Sequence, residues 1–116
     1  MYEIKADIQK NILILRLEGY MSDEEIKAGV ELTISEAKKL KSGYTVINDI
    51  TKMKPASPLG TEEIKRAQAF VVSNGAAKII RIVDNPISKM QFNRTSTAAG
   101  YHALEAKTVE DALKLV

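Results

Sequence analysis

The chain has 116 residues, of which 45% are hydrophobic and 28% charged, and its formal net charge at pH 7 is +2. This length fits a single domain over residues 1–116 with one core, and so balanced a charge does not indicate binding to nucleic acid or to an anionic membrane surface. The longest strictly apolar runs have four residues, whereas a membrane-spanning helix needs ~20, so we expect no membrane span.

The chain contains no cysteine. Disulfides, thiolate metal sites and cysteine nucleophiles are therefore excluded, and this composition fits a reducing compartment. The first residues, Met1–Lys5, lack the basic segment and long apolar segment of a secretory signal. We therefore expect a cytoplasmic protein.

The N-terminal part of the chain is typical of a β-hairpin. Apolar and charged residues alternate over Met1–Asp7, and a β-rich run follows at Ile12–Leu17. The polar segment Gln9–Asn11 between them is a turn signal.

A helix is predicted next, beginning after Ser22. Ser22 and Glu25 have the spacing of a capping box. The helix should present one apolar face to the core and end at Gly43. The residues of that face are Ile26, Val30, Ile34 or Thr33, Ala37 and Leu40.

The remainder of the chain alternates strands with helices. We predict a strand at Tyr44–Ile50, a helix from Thr61 to Ser73, and a strand at Ala77–Val83. A helix from Asn85-Pro86 to about Ala98, a strand at Tyr101–Ala106 and a short helix capped by Thr108 complete the series. The predicted fold is α/β, in the order β-β-α-β-α-β-α-β-α, with a mixed, mainly parallel sheet that starts from the hairpin.

Polar pairs end two of the predicted strands, Asn48-Asp49 and Asp84-Asn85. Ligand sites in open α/β sheets lie outside the carboxyl ends of the strands, so adjacent strands would bring these four side chains to one edge. Ser57, Ser88, Lys89 and Arg94 are candidates to join them. The alternative is that Asn and Asp close strands and cap helices by bonding to nearby backbone.

The segment Ser88–Gly100 is polar and mildly basic, and it contains no acidic residue. Met90 and Phe92 are two positions apart, so a helix cannot turn both toward the core, and the exposed one would suit contact with another protein. The single histidine, His102, has no partners that indicate catalysis. Neither a metal site nor a cofactor is predicted.

The predicted element order, together with two segments, resembles the STAS fold of bacterial anti-sigma factor antagonists, and more closely its SpoIIAA-like branch. The first segment is Val46–Met53, which is similar to the family's strand ending in Asp, an apolar residue and Ser or Thr. The second is Tyr101–Leu115, which is similar to the branch's last strand and short final helix.

The resemblance implies a regulatory module that binds a protein partner such as a kinase-type anti-sigma factor, through a loop at Thr51–Gly60. Family members are switched by phosphorylation of a serine in an Asp-Ser-Ser-Gly-like loop. An ungapped alignment from Asp49 puts Pro58 and Leu59 on the two serines, and only a one-residue deletion puts Ser57 on the acceptor.

Ser57 has two possible roles, a phosphorylation site or the N-cap of the following helix, and Thr61 competes as that cap. Two other functions stay open for the whole chain. One is the binding of a small apolar ligand or lipid, and the other is an enzyme that uses Asp49 and Asp84 at the strand ends.

Overall fold

The computed structural model describes residues 1–82, 90, 94 and 103–116. Its first two strands form the predicted hairpin, with β1 at Tyr2–Asp7 and β2 at Ile12–Gly19. They pair in antiparallel fashion, with Ile4 opposite Leu15. Asn11 in the connecting turn has a φ of 56°, a left-handed conformation that Asn tolerates better than most residues.

Three further strands lie beside the hairpin: β3 at Thr45–Met53, β4 at Lys78–Ile82 and β5 at Leu104–Ala106. Within the described residues the sheet has five strands in the order β1-β2-β3-β4-β5. The pairings of β2 with β3, β3 with β4 and β4 with β5 are all parallel. The predicted α/β class and mixed sheet are therefore confirmed.

Helices α1 at Asp23–Ala37 and α2 at Pro58–Ser73 pack on one face of the sheet, and α3 at Val109–Leu113 packs on the other. Side chains of a strand alternate between faces, and the core divides accordingly. The α1/α2 face buries Leu13, Leu15, Val46, Ile50 and Met53, and the α3 face buries Ile12, Ile47, Ile80 and Ile82.

The first helix ends at Ala37, six residues before the predicted stop at Gly43. A longer α-helix would need the Lys41 N–H to bond to the Ala37 carbonyl. Instead, Lys41 N donates to Asn11 Oδ1 at 2.9 Å, and Asn11 Nδ2 donates to the Lys41 carbonyl at 3.1 Å. The helical pattern has already changed before Lys41, since Lys39 N and Leu40 N donate to the Glu36 and Ala37 carbonyls, three residues back. The contact with the hairpin turn then keeps Lys41 out of a further turn.

The apolar face of α1 agrees with the prediction and resolves its open position. Ile26, Val30 and Ala37 are buried, and Thr33 is buried where Ile34 is only half-buried. The Thr33 hydroxyl donates to the Gly29 carbonyl at 2.8 Å, so this polar side chain is satisfied inside its own helix.

The second helix begins at Pro58 and not at the predicted Thr61. Ser57 is the N-cap, and its Oγ accepts from Gly60 N at 3.0 Å. Proline suits the first helical position, because that residue needs no N–H partner. Thr61 is not the cap, since its hydroxyl donates backwards to the Ser57 carbonyl at 2.8 Å.

The described elements in the last third of the chain agree with the helices and strands predicted from the sequence. Thr108 caps α3, with its Oγ1 accepting from Asp111 N. Met90 and Arg94 are helical, and the rest of the predicted 85–98 helix lies outside the described residues. No helix in the described part of the chain is both long and apolar enough to cross a membrane.

Candidate functional site

A cavity of about 70 Å³ lies between the sheet and helices α1 and α2. Strands β1 to β4 form its floor, and the two helices form its roof. Its apolar lining comprises Tyr2, Ile4, Leu15, Leu17, Met21, Ile26, Val30, Val46, Ile64, Ala67, Val71 and Ile79. Gly29 on α1 and Gln68 on α2 also line it, the first without a side chain and the second with a polar one.

Gly29 on α1 lies over the first strand and leaves space there unfilled. A side chain built on Gly29 would stand 3.5 Å from the Tyr2 ring and 3.8 Å from Ile4 Cδ1. These are ordinary contact distances, so the glycine leaves a methyl-sized space that Tyr2 and Ile4 do not fill. Tyr2, Leu17 and Glu25, which also line the cavity, are partly exposed to solvent.

Two amide side chains line this apolar space. Gln68 is only 7% exposed. Within the described residues, neither its Oε1 nor its Nε2 has a hydrogen-bond partner, and the same holds for Asn48 Oδ1. Buried polar atoms without partners are rare in native proteins and cost about 1–3 kcal/mol each. Their presence in a cavity therefore points to something that bonds to them there.

Charge is almost absent from the lining. Glu25 is the one residue with a formal charge among those lining the cavity in the described part of the chain. Thr33 also lines the cavity, but its hydroxyl is already bonded to Gly29. Apart from the Glu25 carboxylate, a bound molecule therefore meets hydrocarbon and the neutral side-chain amides of Asn48 and Gln68.

The predicted pair Asn48 and Asp49 does not converge on one site. Neighbouring residues of a strand point to opposite faces, so Asn48 faces α1 and α2 and Asp49 faces the other way. Asp49 Oδ1 accepts from the Thr51 hydroxyl at 2.8 Å and from Thr51 N at 3.1 Å, and Arg16 lies 3.9 Å from its other oxygen. Asp49 thus bonds locally to Thr51, as in the structural alternative. The prediction that Asn48-Asp49 ends the strand is wrong, because β3 continues to Met53.

Asp49 and Thr51 also line a polar depression of about 140 Å³. Arg16, Glu18 and Lys52 complete its charged rim. Both signs of charge are present, and they offset each other across the depression. The arrangement favours neither an anion nor a cation.

Ser57 joins the starts of two helices. Besides capping α2, its hydroxyl donates a hydrogen bond to Asp23 Oδ1 in the first turn of α1. Gly60 makes this close approach possible, since a side chain there would meet Ile26 Cδ1 at 2.6 Å. The Ser57 hydroxyl therefore has a structural role at the junction.

The other predicted site residues are not brought to this cavity by anything described. Asp84, Asn85, Ser88, Lys89, Phe92 and His102 lie outside the described residues. Met90 is 58% exposed, and its sulfur lies 3.9 Å from Arg94 Nη2. Among the described residues, no three His, Cys, Asp or Glu side chains are grouped so as to hold a metal ion.

Sequence reasoning missed two buried polar residues, Gln68 and Arg81. Gln68 stands four residues after Ile64 and three before Val71, so helical spacing puts it on their buried face. Arg81 is 1% exposed and interrupts the apolar strand β4. In the sheet register it lies beside Asn48 on one side and Glu105 on the other.

Comparisons with family models, with curated proteins and with solved structures find no match to this chain. Its function must therefore be argued from the cavity, the exposed surface and the residues that form them.

Proposed function

We propose that this domain acts by binding and that the cavity beneath α1 and α2 holds a small, largely apolar molecule. The observation that carries the proposal is the set of three buried polar atoms, on Asn48 and Gln68, that lack partners in an apolar space. Cavities that bind small molecules are usually apolar, with a few polar groups that orient the ligand.

Xenon tests whether an apolar molecule enters the cavity, because it occupies apolar cavities of ~150 Å³ and needs no hydrogen bonds. Methyl resonances of Ile64 and Val71 should shift under xenon pressure. Ala67→Leu adds a side chain to the lining and should abolish the shifts. Ala69→Leu, on the exposed side of the same helix, is the matched control and should leave them unchanged.

Mass measurement tests for a natural ligand. The intact mass of the protein isolated from its own cell should be higher under native than under denaturing conditions, and Ala67→Leu should remove the difference. Equal masses, together with no xenon-induced shifts, would contradict ligand binding at this cavity.

A second candidate is the regulatory interaction module that the STAS-like, SpoIIAA-like resemblance implies. Its support is the element order of the described chain and two exposed apolar side chains, Tyr20 at 71% and Leu59 at 69% exposure. Lys54 N donates to the Gly19 carbonyl at 3.1 Å, so the chain around Tyr20 adjoins the loop before α2. A protein partner of the anti-sigma factor type would contact this edge.

Site-specific photo-crosslinking tests the second candidate. A photoreactive residue at Leu59 should capture a regulatory protein in the native cell. The same residue at Ile8, which is 64% exposed in the hairpin turn, is the control and should not capture that protein. Equal capture at both positions would contradict a specific surface around Leu59.

A further inference from the structure

The polar groups of the cavity define the chemistry of its ligand. We infer that the cavity selects a small neutral molecule whose polar group both donates and accepts hydrogen bonds, such as a primary amide or an alcohol. This inference rests on the proposed ligand-binding function and names the class of ligand.

The cavity has both donors and acceptors of hydrogen bonds that lack partners within the described residues. Asn48 Oδ1 and Gln68 Oε1 are acceptors without a donor, and Gln68 Nε2 is a donor without an acceptor. A ligand that only accepts can pair with Nε2 and leaves both oxygens unmatched. Exchanging the positions of Asn48 Oδ1 and Nδ2 would replace one acceptor in the cavity with a donor. The ligand would then still need both to donate and to accept hydrogen bonds.

The charge of the lining bears on whether the ligand is neutral or anionic. A carboxylate loses its hydration on entering an apolar cavity and needs a cation or several donors in exchange. The charged residue that lines the cavity, Glu25, is acidic, and the Met1 ammonium lies 3.0 Å from its Oε2. That ammonium is already held by Glu25 and by the Glu18 carbonyl, so it is not an unmatched cation for an anionic ligand. Arg81 is near in the sheet register, but it does not line the cavity and has interactions of its own. The lining thus favours a neutral ligand over its anionic counterpart.

The volume of the cavity limits the size of the ligand. The cavity volume of about 70 Å³ is roughly half that of an engineered cavity that admits benzene. Scaled from benzene, which has six non-hydrogen atoms, the enclosed space holds about three. Tyr2, Leu17 and Glu25 in the lining are partly exposed, so a short-chain compound can place its polar group inside and extend toward solvent.

Three compounds of the same shape separate the possibilities: propanamide, butan-2-one and propanoate. Each is an ethyl group on a carbonyl carbon, and they differ only in the last substituent, which is an amide nitrogen, a methyl group or a charged oxygen. Binding of each at pH 7 is followed by titration of the methyl resonances of Ile64 and Val71 and of the Gln68 side-chain amide.

We expect propanamide to bind at least about tenfold more tightly than butan-2-one or propanoate. Neither butan-2-one nor propanoate has a hydrogen-bond donor, so each leaves a buried acceptor of the cavity unpaired. In Gln68→Met the preference for propanamide over butan-2-one should fall roughly threefold or more, because two of the three unpartnered polar atoms are gone. Gln9→Met, an exposed position in the hairpin turn, is the matched control and should keep the wild-type preference.

The outcomes distinguish this inference from the proposed function. Binding of butan-2-one as tight as that of propanamide, or an unchanged preference in Gln68→Met, would overturn the donor requirement while ligand binding stands. Tightest binding of propanoate would overturn the requirement for a neutral ligand. If xenon shifts the methyl resonances and none of the three probes does, the inferred ligand class is wrong. If xenon also fails, the proposed function is wrong as well.

Discussion

The Ser57 hydroxyl donates a hydrogen bond to the Asp23 carboxylate, so the first turns of α2 and α1 are joined by one side-chain contact. The same oxygen accepts from Gly60 N at 3.0 Å. Ser57 is therefore the cap of one helix and the link to the other. It is also the serine that a one-residue deletion would align with the phosphorylated serine of the family that the sequence resembles.

Ser57→Ala should lower the free energy of unfolding by about 1–2 kcal/mol, because the helix loses its cap and its link to Asp23. Ser57→Asn, which can still cap, should recover part of this loss. Ser57→Asp can cap but sets a second carboxylate beside Asp23, so it should be less stable than Ser57→Asn. Urea unfolding at pH 7 measures all three variants.

Ser73→Ala is the control for this series, since the exposed Ser73 bonds only backwards to carbonyls of its own helix among the described residues. Its effect should stay within about 0.5 kcal/mol. A stable Ser57→Ala variant, or phosphate found on Ser57 in the peptide Lys54–Lys65 from the native cell, would contradict a purely structural role.

Val30→Asp should lower stability by about 3 kcal/mol or more, against a total of ~5–15 for a domain. Val30 is 5% exposed on the face of α1 that packs on the sheet. The exposed Ala28 of the same helix supplies the control, Ala28→Asp. Thermal unfolding followed by circular dichroism is the measurement, and a wild-type melting temperature for Val30→Asp would show that this face is not buried.

Gln68→Met should raise the free energy of unfolding by about 1–2 kcal/mol in protein freed of ligand. Methionine has nearly the same shape, and it removes two buried polar atoms that lack partners within the described residues. Gln9→Met should change stability by no more than about 0.5 kcal/mol. A loss of stability in Gln68→Met would mean that water or another group already bonds to Gln68 in solution.

Protonation of Glu36 in acid should lower the free energy of unfolding. The Lys39 ammonium, 2.5 Å from Glu36 Oε2, and the Ala6 N–H, 3.2 Å from Oε1, lower the pKa of Glu36 below its ordinary value of 4.5. The folded state thus binds this proton more weakly than the unfolded state. The stabilisation is present above pH ~4.5 and is lost as the pH falls through the lower pKa of the folded state.

Glu36→Gln keeps an acceptor for Ala6 N but loses the ion pair with Lys39, whose side chain is 53% exposed. It should therefore cost about 0.5–1 kcal/mol at pH 7 and clearly less at pH 3, as measured by urea unfolding at both values. The exposed Glu62 of α2 supplies the control, and Glu62→Gln should have a similar, small effect at both values. An equal cost of Glu36→Gln at the two pH values would contradict the assigned bonds.

Local sequence signals located most helices and strands but not all of their ends. The Ser22 N-cap and the Asn74-Gly75 stop act between residues a few positions apart, and both are found as predicted. The Glu25 carboxylate, the predicted partner of Ser22 in a capping box, is paired with the Met1 ammonium at 3.0 Å. The predicted end of α1 was wrong: the helix ends at Ala37, and beyond it Lys41 bonds to Asn11, 30 residues away in the chain. A contact of that range leaves no periodic pattern in the sequence.

The candidate site shows the same division. From the sequence alone follow the α/β class and the mixed sheet with its hairpin. Strand alternation also puts Asn48 and Asp49 on opposite faces, although the predicted site joined them. Only the tertiary structure carries β3 past both residues to Met53 and sets Asn48 with Gln68 around a cavity. Helix and strand periodicities are local properties of the chain, whereas a cavity is the space left where two helices and four strands meet, and its volume depends on all of them together.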